Sequence, residues 1–129
     1  QRAAKDSLAS AIIFNNLGIC QFSLGLYGQS EQAYRRALEL EGANAETWNN
    51  LGGSLAAQGE ITGAAQAYEH ALQLQPRYPD ACFNYALLLA ERLSKPDSAL
   101  VLIERGIELA PDSPRTPTMK AFAGGLRKR

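Results

Sequence analysis

The chain is predicted to be an all-α solenoid of three helical hairpins closed by a C-terminal helix, on three observations. Segments spaced 34 residues apart superimpose: Phe14-Asn15-Asn16-Leu17-Gly18 on Trp48-Asn49-Asn50-Leu51-Gly52, and both on Cys82-Phe83-Asn84-Tyr85-Ala86. A period of that length marks stacked units, each burying its apolar face against its neighbours. No run of β-branched residues alternates at period two, while Ala and Leu are abundant, so the repeating element is a helix. Glycine and proline then mark the breaks, at Gly25, Gly28, Gly59, Pro76, Pro79, Pro96 and Pro111.

Taken in order, these breaks predict helices over 7–24, 28–40, 44–57, 61–74, 78–92, 96–109 and 115–127. Each is about three to four turns or slightly more, and the short connections make consecutive helices antiparallel neighbours. Leu17, Leu51 and Tyr85 are expected to plug the seam between the two helices of each hairpin. Gly18, Gly52 and Ala86 follow them as small residues that permit close approach, as do Ala37, Ala71 and Gly106 on the second helices. Tyr34, Tyr68 and Ile103 are expected to fill the gap to the next hairpin. Near the C-terminus, Thr116-Pro117 reads as an N-cap followed by a proline at the first helical position. Met119, Phe122, Ala123 and Leu126 then make a one-sided helix that covers the last hairpin. Arg127-Lys128-Arg129 stands at its C-terminal end, where cations suit the helix dipole.

This pattern resembles the tetratricopeptide repeat family over about residues 11–113. The second unit carries nearly the whole signature in Trp48, Leu51, Gly52, Gly59, Ala64, Tyr68, Ala71 and Pro76. The first keeps Phe14, Leu17, Gly18, Gly25, Tyr34 and Ala37, with Ser30 and Gly42 where Ala64 and Pro76 stand. The third has Cys82 for the aromatic and one extra residue near 93–95 before Ala99, Ile103, Gly106 and Pro111 resume the register. The resemblance implies a right-handed α-solenoid divided into an N-terminal extension or remnant of an earlier repeat (1–10), repeats at 11–44, 45–78 and 79–113, and a capping helix (114–129). Arg2-Ala3-Ala4, 34 residues before Arg36-Ala37-Leu38, supports the remnant reading. Gln1 reads as a truncated or processed end.

In that family the first helices of successive hairpins line a concave face. Its floor would comprise Ile12, Asn15, Asn16, Ile19 and Ser23, then Glu46, Asn49, Asn50, Gly53 and Ala57, then Asp80, Phe83, Asn84, Leu87 and Glu91. Asn16, Asn50 and Asn84 stand one per unit in single file. An asparagine amide offers an acceptor and two donors, so it can pair with both the C=O and N–H of an extended peptide. The file resembles the asparagine ladder of O-linked N-acetylglucosamine transferase repeats, which implies backbone binding by these three residues. Asn15 and Asn49 widen the polar strip. The same asparagines also fit solvated positions, bonds to a neighbouring helix, or inheritance from duplication. Two hydrogen bonds from each of three asparagines are worth roughly 3–9 kcal/mol before the ligand is ordered, against about 8 kcal/mol net for micromolar affinity. Ile19, Phe83 and Leu87 are therefore expected to supply an apolar anchor. The carboxylate clamp of other family members needs cations that this floor lacks: Asp80 and Asn84 stand where basic residues would be wanted. With Glu46, Asp80 and Glu91 present, a neutral or mildly basic segment fits better.

Other functions find less support. The chain has 129 residues and zero formal net charge, so no global field draws nucleic acid or a membrane surface. Its longest apolar stretches, 85–90 and 99–103, are too short to span a bilayer. His70 is the only histidine and reads as a surface residue on a second helix. Cys20 and Cys82 show no metal-like spacing and are expected on buried faces as reduced thiols, which suits a cytoplasmic setting. No cofactor and no catalysis are expected, and the partner is a protein or peptide. Two alternatives are a structural module that self-associates through its ends or N-terminal helix faces (Leu8, Ile12, Ile13), and the substrate-recruiting arm of a larger enzyme.

Overall fold

The computed structural model describes residues 2–128, and its helices follow the predicted order closely. They are α1 (Arg2–Ser23), α2 (Tyr27–Leu40), α3 (Ala45–Ala57), α4 (Ile61–Leu74), α5 (Pro79–Glu91), α6 (Pro96–Leu109) and α7 (Thr116–Arg127). The largest difference is α1, which runs five residues further towards the N-terminus than its predicted start at residue 7. Nothing in 2–6 breaks a helix, since Ala, Lys and Arg all propagate one.

The three hairpins are α1–α2, α3–α4 and α5–α6, and the second helix of each packs on the first helix of the next. In addition α1 meets α3 and α3 meets α5, so the first helices form the inner layer of the stack and the second helices the outer. Packing is set by one tyrosine per hairpin in the first two units. The ring of Tyr34 lies over Gly18, and that of Tyr68 over Gly52. The glycines thus admit a ring rather than a bare helix backbone. Both tyrosines are buried, at 2% and 4% exposure, and burial pushes both phenols up to about 12. A contact also repeats on the rim: Arg36 lies 5.8 Å from the centroid of Phe14, and His70 stacks on Trp48 at 4.4 Å. In the third hairpin Cys82 replaces the aromatic, and Gly106 and Met119 close over its thiol.

Turn chemistry separates the third hairpin from the others. Gly25 (φ 79°) and Gly59 (φ 83°) take the left-handed conformation that ends the first two turns. The third turn, one residue longer, places Ser94 there at φ 53°. An L-residue in that region is strained by roughly 1 kcal/mol relative to glycine. Ser94→Gly is therefore expected to stabilise the chain and Gly59→Ala to destabilise it, each by about 1 kcal/mol, as shifts of opposite sign in the urea midpoint. A Cβ at Gly59 meets no atom within 4 Å, so backbone strain alone sets that loss.

Leu17 does not plug the seam of the first hairpin as expected: it is 45% exposed, whereas Leu51 is buried in a cluster with Tyr34 of the preceding hairpin. Two further expectations require correction. Cys20 is exposed, not buried. Its equivalent Ser54 is buried because the first hairpin packs in front of it, where the two hydroxyls of Ser30 and Ser54 meet at 2.6 Å; no described hairpin stands in front of Cys20. Cys82 is buried as expected, donates to the Leu102 carbonyl at 3.3 Å, and has its thiol pushed up to about 11 by burial. Secondly, Thr116 does not cap α7. Its buried hydroxyl donates to the Ala110 carbonyl at 2.7 Å, tying α7 back to the end of α6. The predicted stripe does pack: Met119, Ala123 and Leu126 join the core of the third hairpin with Cys82, Ala86 and Ile103.

Candidate functional site

The inner layer carries the asparagines, and the structure arranges them as staggered pairs. The first helices α1 and α3 present two each in succession, Asn15-Asn16 and Asn49-Asn50, and α5 presents Asn84 alone. The second asparagine of one helix reaches the first asparagine of the preceding one. Asn50 Nδ2 donates to Asn15 Oδ1 at 3.2 Å, and Asn84 Nδ2 donates to Asn49 Oδ1 at 3.2 Å.

Asn15 is buried, at 6% exposure, and its amide is shared among three neighbours on α3. Its Oδ1 also accepts from Thr47 Oγ1 at 3.0 Å, and its Nδ2 donates to Glu46 Oε1 at 3.4 Å. Asn15 therefore stitches hairpin to hairpin and fixes the rotamer of Asn50. Asn49 plays the same part for Asn84 in a half-buried setting. Asn50 and Asn84 each commit one N–H to this stitch, which leaves a second N–H and both lone pairs of Oδ1 in each amide. Asn16 is exposed.

The apolar candidates divide. Ile19 is open, at 39% exposure, and Ile12 beside it is more so, at 53%. Phe83 and Leu87 are half-buried. Phe83 is held by α7: Phe122 meets it edge-on at 5.6 Å, and the Arg115 guanidinium lies 5.8 Å from its centroid. Arg115 also pairs with Asp80 at 2.6 Å. The C-terminal end of the floor is thus covered, and its open apolar surface lies on α1.

Arg115 and Phe122 are the lining residues that sequence reasoning missed. A signal existed. Arg115 follows Asp80 by 35 residues, the repeat length plus the inserted residue, so the start of α7 takes the place of a fourth first helix. The floor is otherwise acidic, with Glu46 and Glu91 exposed. Tyr78, at the start of α5, has its phenol raised by burial and by the nearby charge of Glu46.

Elsewhere, His70 is exposed and engaged in its stack on Trp48 in a cleft facing the second helices, away from the floor. Among the described residues no cluster of His, Cys, Asp and Glu is arranged to hold a metal ion, and no helix is long and apolar enough to cross a membrane.

Two family models described as tetratricopeptide repeat match this chain, one over residues 15–81 and one over 55–121. The chain belongs to the tetratricopeptide repeat family. Three solved structures are similar in fold across nearly all of this tetratricopeptide chain. The Arabidopsis OM64 TPR domain is 19% identical with a TM-score of 0.85, over 95% of this chain and 98% of that one. The first TPR of Spaghetti (RPAP3) bound to the HSP90 peptide SRMEEVD is 18% identical with a TM-score of 0.80, over 93% and 95%. The Yersinia enterocolitica type III secretion chaperone SycD in complex with a peptide of the translocator YopD is 16% identical with a TM-score of 0.81, over 88% and 89%. No curated protein matches the chain.

Proposed function

We propose that this tetratricopeptide chain is a protein-interaction module that binds an extended peptide segment along its inner layer, with Asn16, Asn50 and Asn84 pairing to the ligand backbone. The observation that carries this reading is the stagger of the asparagines. Asn15 and Asn49 hold the amides of Asn50 and Asn84 in fixed orientation while leaving each an N–H and an oxygen. Preorganised amides lose less entropy on binding than free rotors would. Asn15 and Asn49 thus act as positioning residues.

The apolar contact comes first from Ile19 with Ile12, then from Leu87 and whatever edge of Phe83 the α7 cover leaves open. The mode resembles the asparagine ladder of O-linked N-acetylglucosamine transferase repeats. Support also comes from two fold relatives, Spaghetti and SycD, each solved with a bound peptide. The acidic floor favours a neutral or mildly basic segment.

The test is a peptide array followed by fluorescence anisotropy, with native chain against Asn16→Ala/Asn50→Ala/Asn84→Ala at matched helicity. Loss of several hydrogen bonds at about 1 kcal/mol each weakens binding by about 100-fold. Equal binding by the two proteins, or none by either, removes the inner layer as the working surface.

A further inference from the structure

Among the described residues nothing covers one uncharged, apolar face of α1. From Ser7 to Ser30 the sequence contains no charged residue. Along one side of α1 and the turn that continues it lie Ile13, Leu17, Cys20 and Leu24, with Ile13 65%, Leu17 45% and Leu24 73% exposed and Cys20 exposed beside them.

The repeat register identifies what this side is for. One repeat later the same four positions are Thr47, Leu51, Ser54 and Gln58, and every one of them contacts the preceding hairpin. Thr47 bonds Asn15, Leu51 packs in one cluster with Tyr34, Ser54 bonds Ser30 and Gln58 bonds Glu31. The side of α1 that carries the stripe is therefore a helix-docking face, and apolar side chains occupy it.

We propose that α1 docks on α1 of a second copy of this chain, antiparallel, about a two-fold axis between Leu17 and Cys20. Three features favour this occupant. The spacing of the stripe is four, three, four, which reads the same in both directions. An antiparallel copy consequently sets Ile13 against Leu24 and Leu17 against Cys20 along the whole stripe. An uncharged face meets its own copy without like-charge repulsion. The other end of the described stack offers no matching apolar face, because α7 covers the third hairpin. Met119, Ala123 and Leu126 are turned inward there, and Lys120, Arg127 and Lys128 are exposed. Association through α1 is therefore isologous and closes at the dimer instead of propagating head to tail. The exposed side chains of the stripe offer on the order of 400 Å² per copy, so a pair covers about 800 Å², the size of a weak contact that forms and dissociates with concentration.

The test is the mass of the 129-residue chain by light scattering across a dilution series, with Ile13→Glu and Leu24→Lys measured beside it. The expected result is twice the monomer mass at high concentration, falling on dilution, with both variants monomeric throughout and unchanged in helicity. Both positions are more than half exposed, so neither substitution opens the core; should one variant fail to fold, the other carries the comparison. A native chain that stays monomeric at every concentration overturns the proposal and leaves the face to a hairpin of different sequence. Dimers that persist in the variants overturn it as well, by placing the contact elsewhere.

Discussion

Gly52→Ala lowers the unfolding free energy of this chain by about 1–3 kcal/mol, although alanine is the better helix former. The added Cβ would lie 2.6 Å from Cε1 and 2.7 Å from Cδ1 of Tyr68, well inside contact distance. The ring has little room to retreat. It sits in a cluster with Leu51, Leu55, Ala64 and Leu88, and Tyr85 stands 6.3 Å away between ring centroids. Either the ring leaves its position or α3 and α4 move apart, and both disturb the hairpin in the middle of the stack. Gly125 supplies the control, because a Cβ there meets nothing within 4 Å. Gly125→Ala is expected to stabilise α7 by about 0.5–1 kcal/mol through helix propensity alone. Urea titrations of the two variants should move the midpoint in opposite directions. A Gly52→Ala midpoint equal to that of the native chain would mean that the ring contact does not limit packing.

The second large effect is at Asn15, a residue that does not need to touch a ligand. Asn15→Ala removes the acceptor of Thr47 Oγ1 and Asn50 Nδ2 from a buried position. Stranding a buried hydroxyl is expected to cost about 1–3 kcal/mol, and the freed Asn50 amide weakens peptide binding in addition. Asn49→Ala should be milder, since Asn49 is only half-buried where Asn15 is buried.

The charge chemistry makes the Asn15 prediction sharper. Asn15→Asp keeps both acceptor contacts but brings a carboxylate against Glu46, to which the native amide donates at 3.4 Å. That variant should be destabilised alone and recover most of the loss when combined with Glu46→Gln, whose amide can donate to the new carboxylate. Chemical denaturation of the four proteins gives the coupling directly. Additive losses would show that Asn15 and Glu46 do not share the bond. An Asn15→Ala variant with native stability would show that the stitch contributes nothing to holding the hairpins together.

The order of helices is legible in the sequence because each signal is local. A glycine at positive φ ends a helix wherever it stands, as at Gly25 and Gly59, and prolines start helices at Pro79 and Pro96. The 34-residue offset did the rest, since it places equivalent residues on equivalent faces. It also picked out Asn16, Asn50 and Asn84 as one file. Where a residue's role depends on a neighbour in the stack, the same offset misled. Cys20 and Ser54 hold one register position, yet one is exposed and the other buried, because only one of them has a hairpin in front of it. Thr116 looked like a cap from its sequence neighbours, and its hydroxyl instead answers a carbonyl six residues back.

The sequence by itself determined that this chain is a stack of helical hairpins with one asparagine file, because periodicity and turn chemistry are properties of short segments. Only the tertiary structure decided that Asn15 is buried between hairpins while Asn16 is exposed, that α7 and the residue before it cover Phe83 with Phe122 and Arg115, and that no described residue covers one apolar face of α1. The physical reason is common to all three. Hydrogen-bond partners and buried area belong to pairs of helices brought together by stacking, and a one-dimensional pattern fixes which faces exist before it fixes what each face meets.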